Sequence, residues 1–388
     1  MSGRVPFLAS RLQGYTGTIF AEMSALAVAT GSINLGQGFP DVDGPEVIKR
    51  AAIRAIENGH NQYPPGSGII ELRQAIAAHQ HRFYGLDFDP ETEVLVTAGA
   101  TEAIAACLLA LCEVGDEVVM FEPYYDSYAA CTAMAGAQRR VVRLETPDWT
   151  FDPEALENAI TDRTRLILLN SPHNPTGKVF SREELDVIAD VCRRHDLIAV
   201  ADEVYEHLTF ESPHVPLASL PAMAERTITI SSAAKSFSFT GWKIGWVCAH
   251  PELLNAVRAA KQFLTYVNGA PFQHAIAEGL NDCDEYLLEA ARVLRDKRDL
   301  LSTGLDAAGF TVLASHGTFF LTTDISALTD QDSYSFCRAL PEMCGVVAIP
   351  SSVFYDDRDS GRHLVRWMFS KRREVLEEAI SRLGRLRT

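Results

Sequence analysis

The sequence predicts an α/β protein with a large domain, built on a mostly parallel central sheet, and a smaller α/β domain. Short β-rich runs alternate with helical runs between about residues 94 and 249, and strands interleaved with helices favour a mostly parallel sheet covered on both faces. From Pro251 onward long helical patterns dominate, with short β runs near 311–323 and 346–349. The 388 residues, of which 47% are hydrophobic, exceed one typical domain and suit two.

The first elements of the alternating region form two pairs, each of a strand and a helix. EVLVTAG (93–99) predicts a strand, and TEAIAACLLALC (101–112) predicts a buried helix. After a Gly-Asp turn, EVVMFEP (117–123) predicts a strand and residues 124–135 a helix. Ligands of such sheets collect at the carboxyl ends of the strands. The residues that follow each strand are therefore candidates for a functional site.

The next elements repeat this alternation. RLILLNSP (165–172) predicts a buried strand, and residues 181–194 predict a helix that opens with a capping box of Ser181 and Glu184. Further elements are predicted as strands at LIAVADEVY (197–205), TITISS (227–232) and GWVCAH (245–250), and as a terminal helix from about Lys371.

The charge balance argues against nucleic-acid and membrane partners. Thirty-five Lys and Arg against 51 Asp and Glu give a net charge of −16, which repels phosphate backbones and anionic lipid surfaces. The longest apolar stretches, such as 103–111, are too short to span a membrane, and the N-terminus lacks the apolar region of a signal peptide. Eight cysteines, never spaced as C-x-x-C, lie mostly in apolar runs. We therefore expect a cytoplasmic protein with reduced cysteines.

The segment ITISSAAKSFSFTGWKIGW (228–246) indicates a specific chemistry. Lys235 lies three residues after Ser232 and eight before Lys243, among small and apolar residues. A lysine kept from water has a lowered pKa and can act as a neutral amine nucleophile. The chemistry that this predicts is Schiff-base formation.

In this segment and in several other motifs, the sequence resembles the class I/II aminotransferases of fold type I, which use pyridoxal 5′-phosphate (PLP). The resemblance covers nearly the full length and depends on motifs in the family's order: NLGQGFPD (34–41), EPYYDSY (122–128), SPHNPTGK (171–178), DEVYEHL (202–208) and HLVRWMF (363–369). These strings resemble the branch that holds kynurenine, glutamine and methionine aminotransferases. Together with SSAAK and YVNGAPFQ (266–273), they look most like actinobacterial N-succinyldiaminopimelate aminotransferases.

The resemblance implies an enzyme that moves an amino group between an L-amino acid and a 2-oxo acid, such as 2-oxoglutarate, through a Schiff base at Lys235. We expect an N-terminal arm with part of the small domain at 1–45, a large PLP-binding domain at 46–275 and a C-terminal small domain at 276–388. The donor that the similarity favours is N-succinyldiaminopimelate. A kynurenine-, glutamine- or methionine-type aminotransferase is the alternative.

The same resemblance implies roles for the residues around the cofactor ring. Lys235 matches the lysine that forms the Schiff base and moves a proton between substrate and cofactor. Asp202 matches the carboxylate that faces the pyridine nitrogen. Tyr205 and Asn174 match hydrogen-bond donors to the phenolic oxygen, and Tyr125 matches the aromatic ring stacked on the cofactor.

The family's phosphate cradle also has counterparts in this chain. Backbone amides of Ala100 and Thr101 at a helix N-terminus, the Ser232 hydroxyl and the Lys243 ammonium match it. Many relatives have arginine where Lys243 stands. Tyr63 matches a tyrosine that reaches the phosphate of the neighbouring subunit, which implies a homodimer with shared active sites.

The substrate carboxylate has its own set of matches. Arg366 matches the arginine that clamps the α-carboxylate with a planar guanidinium, while the alternative is an ordinary strand-end ion pair. Gly38 matches a backbone donor to that carboxylate, Asn174 lies beside it in the family, and Phe20 matches an aromatic at the mouth of the pocket. The peptide bonds before Pro175 and Pro172 are expected to be cis.

Other motifs fit less well. Ser232-Ala233-Ala234-Lys235 matches the S-x-x-K of serine acylases, but it lies far from the N-terminal third where those enzymes carry it. Gly36-Gln37-Gly38 lacks the third glycine of a dinucleotide fingerprint. His79 and His81 are two apart on a predicted helix, so they point to different sides and are expected to be solvated. We expect no metal site.

Two further activities share this fold. Aminotransferase-like domains occur in transcription regulators, but those carry a DNA-binding module before the family match, which begins here within about 20 residues of Met1. A β-eliminating C–S lyase would use the same lysine, and the motifs separate it poorly from a transaminase. A donor with distal carboxylates would favour basic groups near the mouth, for which location alone suggests Arg4, Arg11, Arg258 and Lys261.

Overall fold

The structure, a computed structural model, describes residues 5–387. Its helices are α1 Ile19–Thr30, α2 Glu46–Glu57, α3 Ile70–Tyr84, α4 Gly99–Leu111, α5 Asp126–Ala135, α6 Pro153–Ala159, α7 Arg182–Arg194, α8 Ala233–Ser236, α9 Pro251–Lys261, α10 Ala270–Asp282, α11 Asp284–Ala307, α12 Ser333–Cys344 and α13 Arg373–Leu383. Its strands are β1 Ile33–Asn34, β2 Val94–Thr97, β3 Glu117–Glu122, β4 Gln138–Arg143, β5 Thr164–Asn170, β6 Ile198–Asp202, β7 Thr227–Ser232, β8 Gly245–Cys248, β9 Thr311–Val312, β10 Phe320–Asp324, β11 Val346–Val347, β12 Ile349–Pro350 and β13 Leu364–Met368.

A seven-stranded sheet forms the centre of the molecule. Its strand order is β2-β8-β7-β6-β5-β3-β4. Strand β8 runs antiparallel to both of its neighbours, and the other adjacent strands are parallel. The prediction of a mostly parallel sheet is therefore confirmed, and the carboxyl ends of β5, β6 and β7 lie at one edge of the sheet.

The predicted strands of the central sheet are present: β7 has the predicted bounds, and the others end one to three residues earlier than predicted. The strand predicted at 197–205 ends at Asp202, because the chain turns away from the sheet there. The capping box of α7 forms as predicted between Ser181 and Glu184. Strand β4 and helix α6 were missed. In β4 (QRRVVR) charged residues of an edge strand replace the apolar run that marks its neighbours, and most of the strand is partly exposed.

A second, four-stranded antiparallel sheet has the order β12-β13-β10-β9. The short strand β1 pairs with β11, which brings the N-terminal part of the chain to the C-terminal part. One hydrophobic core joins α1 residues such as Met23 with residues from Leu301 to Leu383. The boundaries at 45 and 275 stay a prediction, and these contacts support assigning the arm to the smaller domain.

Other sequence-based expectations concern the chain as a whole. All eight cysteines are free, and every one except Cys112 is buried. None of the helices within residues 5–387 combines the length and apolarity that a transmembrane span requires. The Asn174–Pro175 and Ser171–Pro172 peptide bonds are cis, as the resemblance implied, and so are Glu122–Pro123 and Thr146–Pro147.

Candidate active site

A cavity of about 350 Å³ opens at the carboxyl ends of β5, β6 and β7. Asn170, Asp202 and Ser232 end these three strands, and all three line the cavity. The structure brings together every predicted site residue except Tyr63: the cavity is lined by Phe20, Gly38, Ala100, Thr101, Tyr125, Asn174, Asp202, Tyr205, Ser232, Lys235, Lys243 and Arg366.

Lys235 lies on the four-residue helix α8, directly after β7. Burial lowers the pKa of its ammonium to about 8, and although Asp202 opposes this shift, the positive charges of Arg366 and Lys243 add to it. The Nζ atom donates a hydrogen bond of 3.3 Å to the Gly38 carbonyl. An amine with this pKa is neutral in an appreciable fraction of molecules near pH 7, as a nucleophile or proton carrier requires.

Asp202 is a buried carboxylate at the floor of the cavity. Burial raises the pKa of its carboxyl group to about 6, and hydrogen bonds from the Tyr128 hydroxyl and the Val204 backbone oppose the rise. Tyr128 donates over 2.6 Å. Within the described residues no lysine, arginine or histidine nitrogen lies within 4.0 Å of this carboxylate. It is therefore suited to a cationic group of a ligand, such as a protonated ring nitrogen.

Asn174 and Tyr205 lie on a second wall. The Asn174 backbone N–H donates a 2.7 Å hydrogen bond to Asn170 Oδ1, which holds the loop after β5 in place. Asn170 in turn donates 2.8 Å from Nδ2 to the Asp202 carbonyl. Burial raises the pKa of the Tyr205 hydroxyl well above its usual value, so it stays a donor. Both side chains can donate hydrogen bonds into the cavity.

The opposite end of the cavity has the features of a phosphate site. Ala100 and Thr101 lie in the first turn of α4, where backbone N–H groups have no partner within the helix. Gly99 has a φ of +76°, and a Cβ built on it would lie 3.3 Å from Lys243 Nζ. With the Ser232 hydroxyl nearby, these donors and one ammonium can hold a dianionic group.

Gly245 allows the start of α4 to pack closely against β8 at this end of the cavity. A Cβ at Gly245 would lie 2.7 to 2.9 Å from the backbone of Gly99 and Ala100. The start of α4 therefore approaches β8 as closely as two backbones allow. Tyr125 directly precedes α5 and lines the same cavity, and burial raises the pKa of its hydroxyl to about 12.

Arg366, in the centre of β13, is 1% exposed, and among the described residues only the more distant Asp126 carboxylate acts on it, since none lies within 4.0 Å. Its Nη1 donates 3.0 Å to Asn174 Oδ1 and its Nη2 donates 2.8 Å to the Gly36 carbonyl, while Nε has no partner among the described residues. The guanidinium lies 4.0 Å from the Phe320 ring centroid and 5.0 Å from that of Phe20. Burial lowers the pKa of Arg366 to about 10.

This geometry contradicts the interpretation of Arg366 as a strand-end ion pair, because no acidic oxygen of residues 5–387 lies within 4.0 Å of it. A desolvated guanidinium with a free N–H is suited to bind a carboxylate. Phe20 lines the cavity beside it. The backbone N–H of Gly38 makes no hydrogen bond to another described residue, so it remains a free donor for an anion.

Tyr63 lies away from the cavity. Its side chain is 83% exposed, and its ring packs against Tyr266 in an edge-on contact at 5.8 Å. It borders a separate surface groove that residues 61–64 and 267–271 line. Its contact with a neighbouring subunit stays a prediction.

Of the basic residues suggested by location, the three that the structure describes do not line the cavity. Arg4 lies outside the described residues. Arg11 is exposed away from it, and Arg258 bonds to Asn255 at 2.9 Å. Lys261 is buried and donates to the carbonyls of Gly66, at 3.2 Å, and of Tyr266. Lys261 is thus committed to the backbone, which makes it unsuited to a distal carboxylate.

The expectation for His79 was wrong. His79 is buried, with Nε2 lying 2.7 Å from His207 Nε2, whereas His81 is exposed and bonds to Asp87 at 2.8 Å. Burial lowers the pKa of both His79 and His207 to about 4. Glu206 lies close to this pair, and the ligand atoms of the three are within 4.8 Å of one another. The cluster lies outside the cavity and joins α3 to the segment after β6.

Sequence reasoning missed two residues that act on Asp202, namely Tyr128 and Asn170. Tyr128 belongs to the EPYYDSY motif, and its spacing of three from Tyr125 places the two side chains on one side of α5. Asn170 is the last residue of β5 and pairs in register with Asp202. Both signals were available in the sequence, but only the tertiary structure identifies Asp202 as the shared partner.

Comparison with known proteins places these features in a family. The family of class I and II aminotransferases matches residues 30–383. A probable N-succinyldiaminopimelate aminotransferase of Mycobacterium tuberculosis is 54% identical over 387 residues, which cover 97% of each chain. The methionine aminotransferase of Escherichia coli is 38% identical over 378 residues, covering 97% of this chain and 98% of the relative. The solved N-succinyldiaminopimelate aminotransferase of M. tuberculosis superposes with a TM-score of 0.96 over 98% of this chain and 100% of that one.

Proposed function

Because the chain belongs to the class I and II aminotransferase family and is therefore an aminotransferase, we propose that it holds PLP in the cavity and uses N-succinyldiaminopimelate as amino donor. The amino acceptor is a 2-oxo acid such as 2-oxoglutarate. The assignment is supported most by the arrangement of Lys235, Asp202 and Arg366 around one cavity.

The residues present fit PLP at each of its functional groups. Asp202, which has no cationic partner within 4.0 Å, would face the ring nitrogen. The start of α4, Ser232 and Lys243 would hold the phosphate, and Lys235 would attach to the aldehyde carbon. When bound, PLP supplies an electron sink that makes a proton at the substrate Cα removable.

The chain's own groups then supply binding and proton transfer. Arg366 binds the α-carboxylate through its free N–H groups and so orients Cα toward Lys235. The Lys235 amine, whose pKa burial lowers to about 8, accepts the Cα proton and returns it. Phe20 and Phe320 cover the guanidinium and exclude water from the ion pair.

The 54% identity to the mycobacterial N-succinyldiaminopimelate aminotransferase, over nearly the full length of both chains, supports the donor. A methionine- or kynurenine-type specificity is the second candidate, because a 38% identical relative is a methionine aminotransferase. A C–S β-lyase would need the same Lys235, and no feature of the cavity favours it over transamination.

We also propose a cytoplasmic homodimer with shared active sites. The free, buried cysteines are typical of a reducing compartment. The exposed Tyr63, together with Phe263 at 85% exposure, provides an apolar surface of the kind that subunit interfaces cover. Each site would then use Tyr63 of the neighbouring copy.

The function is tested with the purified holoenzyme and four donors. N-succinyl-LL-2,6-diaminopimelate, L-methionine and L-kynurenine are each incubated with 2-oxoglutarate while glutamate is measured, and cystathionine is incubated alone while pyruvate is measured. We expect the highest kcat/KM for the succinylated donor. Preferred turnover of methionine or kynurenine would transfer the assignment to that branch, and pyruvate without glutamate would identify a lyase.

A further inference from the structure

Lys371 lies beside the cavity, and the acid Asp41 acts on both Lys371 and Lys297. We call Lys371 and Lys297 the lysine patch. Lys371 is only 7% exposed, and no carboxylate oxygen of residues 5–387 lies within 4.0 Å of its Nζ. Instead, Nζ lies 5.4 Å from the centroid of the Phe39 ring. Phe39 lines the cavity, so an uncommitted ammonium is one aromatic ring away from the substrate space.

The backbone fixes this position on both sides. Lys371 follows β13, the strand that carries Arg366, and the Met368 N–H of that strand donates 2.8 Å to the Leu35 carbonyl. Phe39 follows Gly38, whose carbonyl accepts the hydrogen bond of Lys235 Nζ. Lys371 and Phe39 are therefore tied to the same two segments that hold the amine and the guanidinium.

Two acidic groups, Asp41 and Glu374, act on the patch, and Asp41 already has contacts of its own. Asp41 accepts a 2.8 Å hydrogen bond from the Arg372 backbone N–H, and its other oxygen lies 3.6 Å from Arg372 Nε. It is the acid that acts on Lys371, and with Glu374 it acts on Lys297. Burial lowers the pKa of both lysines. Asp41 is thus shared among Lys297, Lys371 and Arg372, and the direct contacts of its carboxylate are with Arg372.

We propose that Lys371, supported by Lys297, binds a distal carboxylate of the amino donor. The proposal deepens the proposed function, on which it rests: Arg366 takes the α-carboxylate, and the side chain extends past Phe39 to the lysine patch. Phe39 is 45% exposed and forms the wall between the two binding regions. A buried cation with no carboxylate in direct contact gains most when an anion reaches it, so the site selects donors that carry a second negative charge.

The test compares two donors that differ in one group. Nε-succinyl-L-lysine ends in a carboxylate, and Nε-butanoyl-L-lysine has a methyl group in its place. For each variant, kcat/KM is measured for both donors with 2-oxoglutarate as acceptor. The ratio that is compared is kcat/KM for the succinyl donor divided by kcat/KM for the butanoyl donor. We expect Lys371→Met to lower the ratio by about tenfold or more, the size of a lost charge-assisted hydrogen bond. Lys49→Met, at a partly exposed lysine of α2 that pairs with Asp43 and Glu46, is the control and should leave the ratio unchanged.

A second variant should change the kcat/KM ratio in the opposite direction. Asp41→Asn removes the acid that faces Lys371 but keeps an oxygen to accept the Arg372 N–H, so the ratio should rise. Structural damage would not raise selectivity for an anion. If Lys371→Met does not fold, two other single variants decide the proposal. Asp41→Asn should raise the ratio, and Lys297→Met should lower it. An unchanged ratio in these variants would overturn it.

A binding measurement separates this proposal from the proposed function. Isothermal titration of the holoenzyme with pimelate and with heptanoate, which lacks the second carboxylate, requires no turnover. We expect the wild type to bind pimelate more tightly and Lys371→Met to lose that preference. A wild type that binds both equally excludes the subsite, even if transamination is confirmed. Inactivity with every donor would refute the function, and a preference for pimelate would still support the subsite.

Discussion

The Tyr128 hydroxyl donates a 2.6 Å hydrogen bond to Asp202 Oδ2, and both side chains are buried. Burial and the nearby Asp202 charge raise the pKa of Tyr128 well above its usual value, so the hydroxyl remains a donor at any physiological pH. The same bond lowers the pKa of Asp202 against the upward effect of burial. Tyr128 is therefore a positioning residue that keeps the carboxylate oriented and ionised.

Replacing this hydroxyl should weaken cofactor binding without altering the fold. In Tyr128→Phe the Asp202 pKa rises, because a hydrogen bond to the charged form is lost. We expect the dissociation constant of PLP to increase about tenfold near pH 7, as for loss of a hydrogen bond to a charged group, and the pH dependence of binding to shift upward. Equilibrium dialysis across the pH range measures both. Tyr124→Phe, which loses a bond to Asp356 elsewhere, is the control, and equal effects of the two variants would contradict the role.

Asp202 should also leave a signature in the stability of the apoprotein. Burial raises the pKa of its carboxyl group to about 6, above that of an exposed aspartate. Between about pH 4 and 6 the folded state therefore binds more protons than the unfolded state, so this group lowers stability as the pH rises. Asp202→Asn removes that penalty and keeps an oxygen to accept the Tyr128 hydrogen bond.

The expected difference is largest at neutral pH. Apo Asp202→Asn should exceed the wild type in free energy of unfolding by roughly 3 kcal/mol above pH 6, and the gap should close as the pH falls to about 4. Urea unfolding of both apoproteins at several pH values measures the gap. Two curves that stay parallel across this range would show that Asp202 titrates normally.

The part of the site that could be predicted from the sequence consists mainly of residues that lie at the ends of strands. Asp202 and Ser232 each follow a β-rich run, and the sheet brings the ends of such runs to one edge. Lys235 and Arg366 carry motif signals of their own. For these residues, local pattern and family resemblance carry the information.

What the sequence missed depends on partners distant in the chain. His79 looks solvated on a helix diagram, but His207, from the segment after β6, packs against it. Lys371 looks like an exposed residue at a helix start, and only the packing of Phe39 shows that it is buried. A periodic pattern reports one face of one element, whereas these contacts arise where two elements meet.

The proposed sharing of active sites between subunits makes a prediction about mixed dimers. If Tyr63 acts on the phosphate of the neighbouring subunit, Tyr63→Ala and Lys235→Ala homodimers are each impaired at both sites. A mixed dimer has one site with Lys235 from one chain and Tyr63 from the other, so that site is intact. Mixing the two variants under conditions that exchange subunits should raise activity well above the mean of the separate proteins.

Controls make the complementation decisive. Mixing Lys235→Ala with Lys235→Ala protein carrying a different purification tag should give no gain. Sedimentation should find a dimer for every variant. Activity that equals the mean of the two homodimers after confirmed exchange would show that Tyr63 does not serve the neighbouring site.

The last prediction concerns Arg366, whose guanidinium is buried and has, within residues 5–387, no carboxylate oxygen within 4.0 Å and no hydrogen-bond partner for Nε. If it binds the α-carboxylate that every amino donor shares, Arg366→Ala should lower kcat/KM for all donors, whatever their side chains. Loss of the ion pair, with a desolvated carboxylate left unpaired, corresponds to about 3–5 kcal/mol of transition-state stabilisation. Arg366→Lys should recover only part, because an ammonium lacks the planar fork. PLP affinity should be retained, since Arg366 is not among the proposed cofactor ligands. A role in packing alone would instead lower the thermal stability of Arg366→Ala and leave the donor kinetics unchanged, so measuring both quantities on one preparation separates substrate binding from structure.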